Sequence, residues 1–124
     1  MKILVIDDDI QCNEMLCMIL KFSGHHALAA FDGDEGIKLF VREHPDLVIT
    51  DLYMPEKEGI ETIIEIRKLD QKVKILAISG GSPRLDVTEM FPAATLLGAD
   101  AVLAKPFDST TLTKIINELM AAQI

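Results

Sequence analysis

Reactive side chains follow several short apolar runs of this 124-residue chain, each at the point where the run ends. They are Asp7 and Asp8 after the first run, Asp51 after the third, Ser79 after the fourth and Lys105 after the fifth. Three carboxylates brought together disfavour one another's charge unless a cation neutralises them, and Mg²⁺ prefers oxygen ligands of this kind. A lysine adds a fixed positive charge, and a serine hydroxyl can donate to an anion. Such a set is suited to placing a phosphoryl group on a carboxylate, which can itself act as the nucleophile.

The apolar runs predict the elements that must position these groups. Continuous apolar runs indicate buried strands, here over residues 2–6, 26–31, 47–50, 73–78 and 101–104. Helical periodicity, capping residues and breakers predict five helices: one from Asp9 to Ser23, 34–43, 57–69, a short one over 92–97, and a last one capped by Asp108 or Ser109. Strict alternation of five strands and five helices is typical of an α/β fold, a doubly wound parallel sheet with helices on both faces. The carboxyl ends of parallel strands share one edge, so we expect the reactive side chains to converge there.

The apolar spacing within each helix predicts which face packs against the sheet. The predicted inward residues of the first three long helices are Met15, Leu16, Ile19 and Leu20; Ile37, Phe40 and Val41; and Ile60, Ile63, Ile64 and Leu69. In the last helix they are Leu112, Ile115, Ile116, Leu119 and Met120. With no Trp and a single Tyr in the chain, the core is expected to be aliphatic.

The composition argues against several classes of function. A formal net charge of −8 disfavours direct binding of nucleic acid, which needs a basic surface, and adsorption to anionic lipid. No apolar run approaches the length of a membrane span, so membrane insertion is not expected and the chain is predicted to be cytoplasmic. The length suits a single domain, 1–124, without an output domain. Cys12 and Cys17 have neither a zinc nor a redox spacing and are interpreted as inert helix thiols.

Four motifs, in this order, resemble those of one signalling family. Asp7-Asp8 is similar to the acidic pair, Asp51-Leu52-Tyr53-Met54-Pro55 to the phosphoacceptor motif, Ser79 to the Ser/Thr position and Lys105-Pro106-Phe107 to the Lys-Pro-Phe motif of the receiver domains of bacterial two-component response regulators. The resemblance covers essentially the whole chain and favours a stand-alone, chemotaxis-regulator-like domain. It implies a flavodoxin-like strand order, 2-1-3-4-5.

The resemblance also implies a metal site with Mg²⁺ as the cofactor. Asp8 and Asp51 would bind the ion directly, together with the backbone carbonyl of Tyr53. Asp7 would act through a water molecule.

A phosphoryl group would be received at Asp51, the phosphoacceptor, from a sensor histidine kinase or a histidine phosphotransfer protein. Lys105 would contact the phosphoryl oxygens, and Ser79 would donate a hydrogen bond to them and draw the following loop with it. The bond between Lys105 and Pro106 would be cis. The resulting change in the face formed by 79–107 would regulate binding of an output protein, which the sequence does not identify, or relay the phosphoryl group onward.

Two features depart from the family pattern. The family usually has an aromatic residue three positions before its lysine, and here that position is Val102, whose side chain is stiff and has no ring to move. The stretch from Ser79 to Lys105 is also longer than usual, and Gly80-Gly81 makes its start permissive. We hypothesise that residues 80–91 replace the missing aromatic side chain as the part that moves.

Two alternative functions remain at this point. A Mg²⁺-dependent phosphohydrolase that forms an aspartyl phosphate usually has an acid two residues after its nucleophile, and Tyr53 occupies that position, so a regulatory phosphoacceptor with at most slow autophosphatase activity is favoured over an enzyme. A pseudo-receiver that is never phosphorylated should lack one of the site residues, and all are present here.

Overall fold

A five-stranded parallel sheet forms the centre of the structure, a computed structural model that describes residues 1–52, 59–79 and 98–121. The strands are β1 (Lys2–Ile6), β2 (His26–Ala30), β3 (Leu47–Asp51), β4 (Lys74–Ser79) and β5 (Ala101–Ala104). The helices in the described ranges are α1 (Ile10–Phe22), α2 (Gly33–Glu43), α3 (Gly59–Leu69) and α4 (Ser109–Ala121). The strand order β2-β1-β3-β4-β5 confirms the predicted doubly wound, flavodoxin-like sheet. The helix predicted over 92–97 and the predicted start of α3 at 57 lie outside the described residues.

Each strand contributes side chains to two hydrophobic clusters, because its side chains alternate between the two faces of the sheet. On β1, Ile3 and Val5 point into the cluster beneath α1 and α4, whereas Leu4 and Ile6 point into the cluster beneath α2 and α3. Helices therefore cover both faces of the sheet, and the apolar side chains of its central strands are almost completely buried. Burial of this kind is the main stabilising contribution to a fold of this size.

Helix caps at the carboxyl edge of the sheet keep the connections short. Asp9 caps α1 by accepting a hydrogen bond from the backbone N–H of Cys12, at 3.2 Å. Asp32 caps α2 by accepting one from the N–H of Glu35, at 2.7 Å, and the Glu35 carboxylate accepts from the N–H of Phe31 in return. These capping bonds fix where each helix begins after its strand.

The predicted inward stripes are wrong at three positions. Met15, Val41 and Leu69 have exposed fractions of 44%, 52% and 55%. In α1 the buried face instead passes through Asn13, which is fully buried, and in α3 it passes through Ile66. Apolar spacing misplaces the stripe in α1 because the position nearest the sheet is occupied by a polar residue.

An arginine ties the amino-terminal edge of the sheet together. The Arg67 guanidinium, at the end of α3, donates hydrogen bonds to the carbonyl oxygens of Gly98 at 2.9 Å and Val73 at 2.5 Å. It also donates to the Asp100 carboxylate at 2.7 Å, and the same carboxylate oxygen accepts from the N–H of Ile75. The starts of β4 and β5 are thus held to one another and to α3.

Among the described helices, none combines the length and the apolar character that a membrane crossing requires.

Candidate functional site

The strand register brings the predicted reactive residues to one edge. Ile6 pairs with Thr50, so the residues that follow them, Asp7 and Asp51, lie side by side at the ends of adjacent strands. Ser79 pairs with Ala104, and the N–H of Lys105 donates to the carbonyl oxygen of Ser79 at 2.9 Å. The parallel topology therefore produces the predicted convergence.

Three carboxylates and one ammonium form the centre of this site. Oxygen atoms of Asp7, Asp8 and Asp51 all lie within 4.8 Å of one another. The Nζ atom of Lys105 donates to Oδ2 of Asp7 and to Oδ2 of Asp51, each at 3.2 Å. One positive charge thus faces three negative charges, and the site retains an excess of negative charge.

The two acids of the β1 end differ in their surroundings. Asp7 is 1% exposed; its Oδ1 accepts from the N–H of Asp9 at 2.9 Å and its Oδ2 accepts from Lys105. Asp8 is exposed to solvent. Asp7 is therefore held as a fixed part of the site, whereas Asp8 faces the entrance.

Asp51 is nearly buried, with 6% exposure, and α3 begins directly against its peptide. The N–H of Leu52 donates to the carbonyl oxygen of Ile78 at 2.8 Å, and the N–H of Gly59 donates to the carbonyl oxygen of Leu52 at 3.2 Å. A side chain on Gly59 would overlap the carbonyl oxygen of Asp51, so this position requires glycine. The end of β3 is thus clamped between β4 and α3.

The electrostatics of the site favour a bound cation. Asp8 is exposed as a residue, but its carboxylate is partly desolvated by the neighbouring groups of the site. This desolvation and the charge of Asp7 raise the pKa of Asp8 above its ordinary value, because both disfavour the carboxylate form. Burial alone would lower the pKa of Lys105, but the charges of Asp51 and Asp7 outweigh it and raise the pKa, so the lysine stays charged. A hard divalent cation would relieve the remaining repulsion. Oxygen donors on three converging carboxylates, one of them open to solvent, fit Mg²⁺.

The remaining predicted residues surround this centre. Ser79 is 1% exposed at the end of β4, and the Lys105–Pro106 peptide bond is cis. Val102 pairs with Ala77 and packs, half-buried, against the cluster beneath α2 and α3. The predicted carbonyl ligand of Tyr53 and the whole of residues 80–91 lie outside the described residues.

The sequence reasoning missed one residue beside the site, Asn13, and interpreted a second, Cys12, only as an inert helix thiol. Asn13 of α1 is fully buried, and its amide donates to the carbonyl oxygen of Asp7 at 3.1 Å. Burial raises the pKa of the Cys12 thiol to about 11, and a hydrogen bond with Asp7 and the charge of Asp7 act in the same direction. The thiol therefore stays protonated near neutral pH, where it is a weak nucleophile. A polar residue in phase with Leu16 and Leu20 was the signal that could have identified Asn13.

Comparisons with known proteins agree with this geometry. The family model described as response regulator receiver domain matches residues 3–117. The transcriptional regulatory protein CpxR of Klebsiella pneumoniae is 34% identical over 119 residues, which cover 96% of this chain and 49% of that protein. The chain spans about half the length of the curated relatives it matches.

Solved structures include chains of similar length. The chemotaxis protein CheY4 of Vibrio cholerae has a TM-score of 0.86 at 27% identity, covering 95% of this chain and 97% of that one. A CheY-like receiver domain protein from Methanospirillum hungatei has a TM-score of 0.90 at 27% identity, covering 98% and 94%. Because the family model matches nearly the whole chain, the chain belongs to the response regulator receiver domain family of two-component signalling proteins.

Proposed function

We propose that Asp51 accepts a phosphoryl group from the phosphohistidine of a sensor histidine kinase or a histidine phosphotransfer protein. A carboxylate oxygen of Asp51 attacks phosphorus and forms an O–P bond, which makes the side chain an acyl phosphate. The P–N bond of phosphohistidine breaks, and its electron pair returns to the histidine nitrogen. The observation that carries the proposal is the placement of a nearly buried Asp51 beside Lys105 at 3.2 Å, within an acidic cluster. Receiver domains are regulatory signalling modules, and this role agrees with that class.

Mg²⁺ is the proposed cofactor, held by Asp8, Asp51 and the backbone carbonyl of Tyr53, with Asp7 acting through water. The ion would supply charge neutralisation for the incoming phosphoryl oxygens. Asp7 supports this arrangement because both of its carboxylate oxygens already accept hydrogen bonds within the protein, which leaves Asp8 as the exposed acid.

Lys105 and Ser79 are the proposed contacts of the phosphoryl group. The Lys105 ammonium, now shared between Asp7 and Asp51, would donate a hydrogen bond to a phosphoryl oxygen once Asp51 is phosphorylated. Ser79, at the end of the adjacent strand, would donate a hydrogen bond from its hydroxyl group to a second phosphoryl oxygen. This contact would alter the face formed by 79–107.

The output is proposed to be a change in binding of a partner protein, or onward relay of the phosphoryl group. Val102 has no aromatic ring that could switch position, so we propose that the residues after Ser79 undergo the conformational change that follows phosphorylation. Relatives such as CpxR are transcriptional regulators, but this chain spans only about half their length. We propose that residues 1–124 form one receiver domain, which acts in the cytoplasm and does not itself contact nucleic acid.

Phosphorylation can be tested by intact mass. The protein is incubated with Mg²⁺ and a small acyl-phosphate donor, and we expect the added mass of one phosphoryl group. Asp51→Asn, or chelation of Mg²⁺, should abolish the adduct, whereas Asp46→Asn, at the opposite edge of the sheet, should leave it unchanged. Donor turnover without an adduct would point to a phosphohydrolase, and no reaction at all would point to a pseudo-receiver; either outcome contradicts the proposal.

A further inference from the structure

Asn13 is a fully buried polar residue that links α1 to the ends of two strands. Its Nδ2 donates to the carbonyl oxygen of Asp7 at 3.1 Å, at the end of β1. The same nitrogen donates to the carbonyl oxygen of Ala30 at 2.9 Å, at the end of β2. One amide group therefore joins α1 to both strands directly beneath the acidic site.

The orientation of this amide follows from the chemistry of its partners. Backbone carbonyl oxygens can only accept, so the NH₂ group must face Asp7 and Ala30. The amide oxygen then faces the Cys17 thiol, which donates to it at 3.4 Å. All three partners are satisfied in one orientation only.

Packing alone does not account for an asparagine at this position. Asparagine is a weak helix former, and the neighbouring positions on the same face are Leu16 and Leu20. A leucine at position 13 would fill similar space but would remove the Nδ2 donor from the Asp7 carbonyl. What asparagine adds is a hydrogen bond to one particular peptide group.

That peptide group is the one that joins Asp7 to Asp8. The N–H of Asp7 is already bonded to the Ala30 carbonyl at 3.0 Å, and Oδ1 of Asp7 accepts from the N–H of Asp9. With Asn13 bonded to the Asp7 carbonyl, the backbone on both sides of Asp8 is restrained. The exposed carboxylate of Asp8 is thereby kept within reach of Asp51.

We infer that Asn13 is a positioning residue that presents Asp8 to the divalent cation of the acidic site. The inference rests on the proposed function, since it assigns to Asn13 the support of the proposed Mg²⁺ ligand. Groups that orient metal ligands typically change metal affinity by about 10- to 100-fold when they are removed. The loss should therefore appear in the affinity for Mg²⁺ and not in the chemistry at saturating metal.

The test compares Asn13→Leu with Leu20→Ala, a control that disturbs the same helix without touching Asp7. For each variant, the Mg²⁺ concentration that gives half-maximal phosphorylation by an acyl-phosphate donor is measured. We expect that concentration to rise about tenfold for Asn13→Leu, with the rate at saturating Mg²⁺ largely retained. Leu20→Ala should lower thermal stability but leave the Mg²⁺ dependence unchanged.

A Mg²⁺ dependence equal to that of the unaltered protein, or an equal shift in Leu20→Ala, would overturn the inference. If Asn13→Leu does not fold, Asn13→Ala removes the same donor without adding bulk. Failure of the proposed function is recognised separately, because the unaltered protein would then form no adduct at any Mg²⁺ concentration. Titration calorimetry with Mg²⁺ alone would still compare the affinities of the same variants and decide the role of Asn13.

Discussion

The ammonium of Lys105 lies 3.2 Å from Oδ2 of Asp51, although the two residues are 54 positions apart in the chain. Asp51 is held in the sheet by β3, and Lys105 follows β5, so their contact depends on β4 lying between those strands. The same ammonium also serves Asp7. A single lysine thus compensates two nearly buried acids, and its removal should affect both stability and chemistry.

Lys105→Met should lower the free energy of unfolding by about 3 kcal/mol near neutral pH, because it removes the positive charge that both buried carboxylates contact. The pKa of Lys105 is raised in the folded state, so its contribution is complete below its ordinary pKa of 10.5 and is lost only as pH rises through the higher folded value. The deficit measured by urea denaturation should therefore be constant between about pH 7 and pH 9.

Lys114→Met, an exposed lysine of α4, is the matched control and should have little effect. Added Mg²⁺ should restore more stability to Lys105→Met than it gives the unaltered protein. Equal urea midpoints for the two lysine variants would contradict the role given to Lys105.

Asp8→Asn should slightly stabilise the metal-free protein, by roughly a few tenths of a kcal/mol, because the carboxylate is exposed and well screened. The pKa of Asp8 is raised in the folded state, so its charged form opposes folding above that pKa. The gain should be present at neutral pH and vanish as pH falls below the ordinary value of 3.8, where both states are protonated.

The same substitution should remove the rise in melting temperature that Mg²⁺ gives the unaltered protein. Glu14→Gln, an exposed acid of α1, should retain that rise. A full Mg²⁺ response in Asp8→Asn would exclude Asp8 as a metal ligand.

Gly59→Ala should destabilise the fold by about 1–3 kcal/mol and slow phosphorylation of Asp51. The added Cβ would overlap the Asp51 carbonyl oxygen and lie 2.6 Å from the Cα of Leu52, both backbone atoms that cannot turn aside. Gly24→Ala is the control, because position 24 has open space around it and a φ of +89°, so alanine there costs stability through backbone strain and not through contact with Asp51. Thermal denaturation and intact mass report the two effects, and equally slow phosphorylation in both variants would refute the explanation.

Hydrogen exchange should show which segment changes on phosphorylation, since position 102 has no aromatic residue to switch. We expect a beryllofluoride mimic of the phosphoryl group to change amide protection within 80–98, because Ser79 directly precedes this stretch. Asp51→Asn with the same mimic should show no change. Identical protection with and without the mimic in the unaltered protein would rule out this segment as the reporter.

The sequence was sufficient to predict the sheet and the convergence of the acidic residues. Strands β1, β3 and β4 are continuous apolar runs, and in a parallel sheet their ends must meet, which brought Asp7, Asp51 and Ser79 together. The strand order itself came from the resemblance, since short alternating elements are compatible with several orders.

Details that depend on distances between elements could not be predicted. Apolar spacing placed Met15 inward, but the face of α1 that touches the sheet is set by the Asn13 bonds to two strand ends. The need for glycine at position 59 likewise appears only when α3 is seen against the Asp51 peptide.

The arginine at the end of α3 limits where a response to phosphorylation can travel. Arg67 donates hydrogen bonds to the carbonyl oxygens of Val73 and Gly98, which hold the beginnings of β4 and β5 together at the edge of the sheet far from Asp51. A displacement that starts at Ser79 would have to be absorbed before Gly98. The conformational change would then be confined to the carboxyl edge of the sheet, and the edge held by Arg67 would keep its structure.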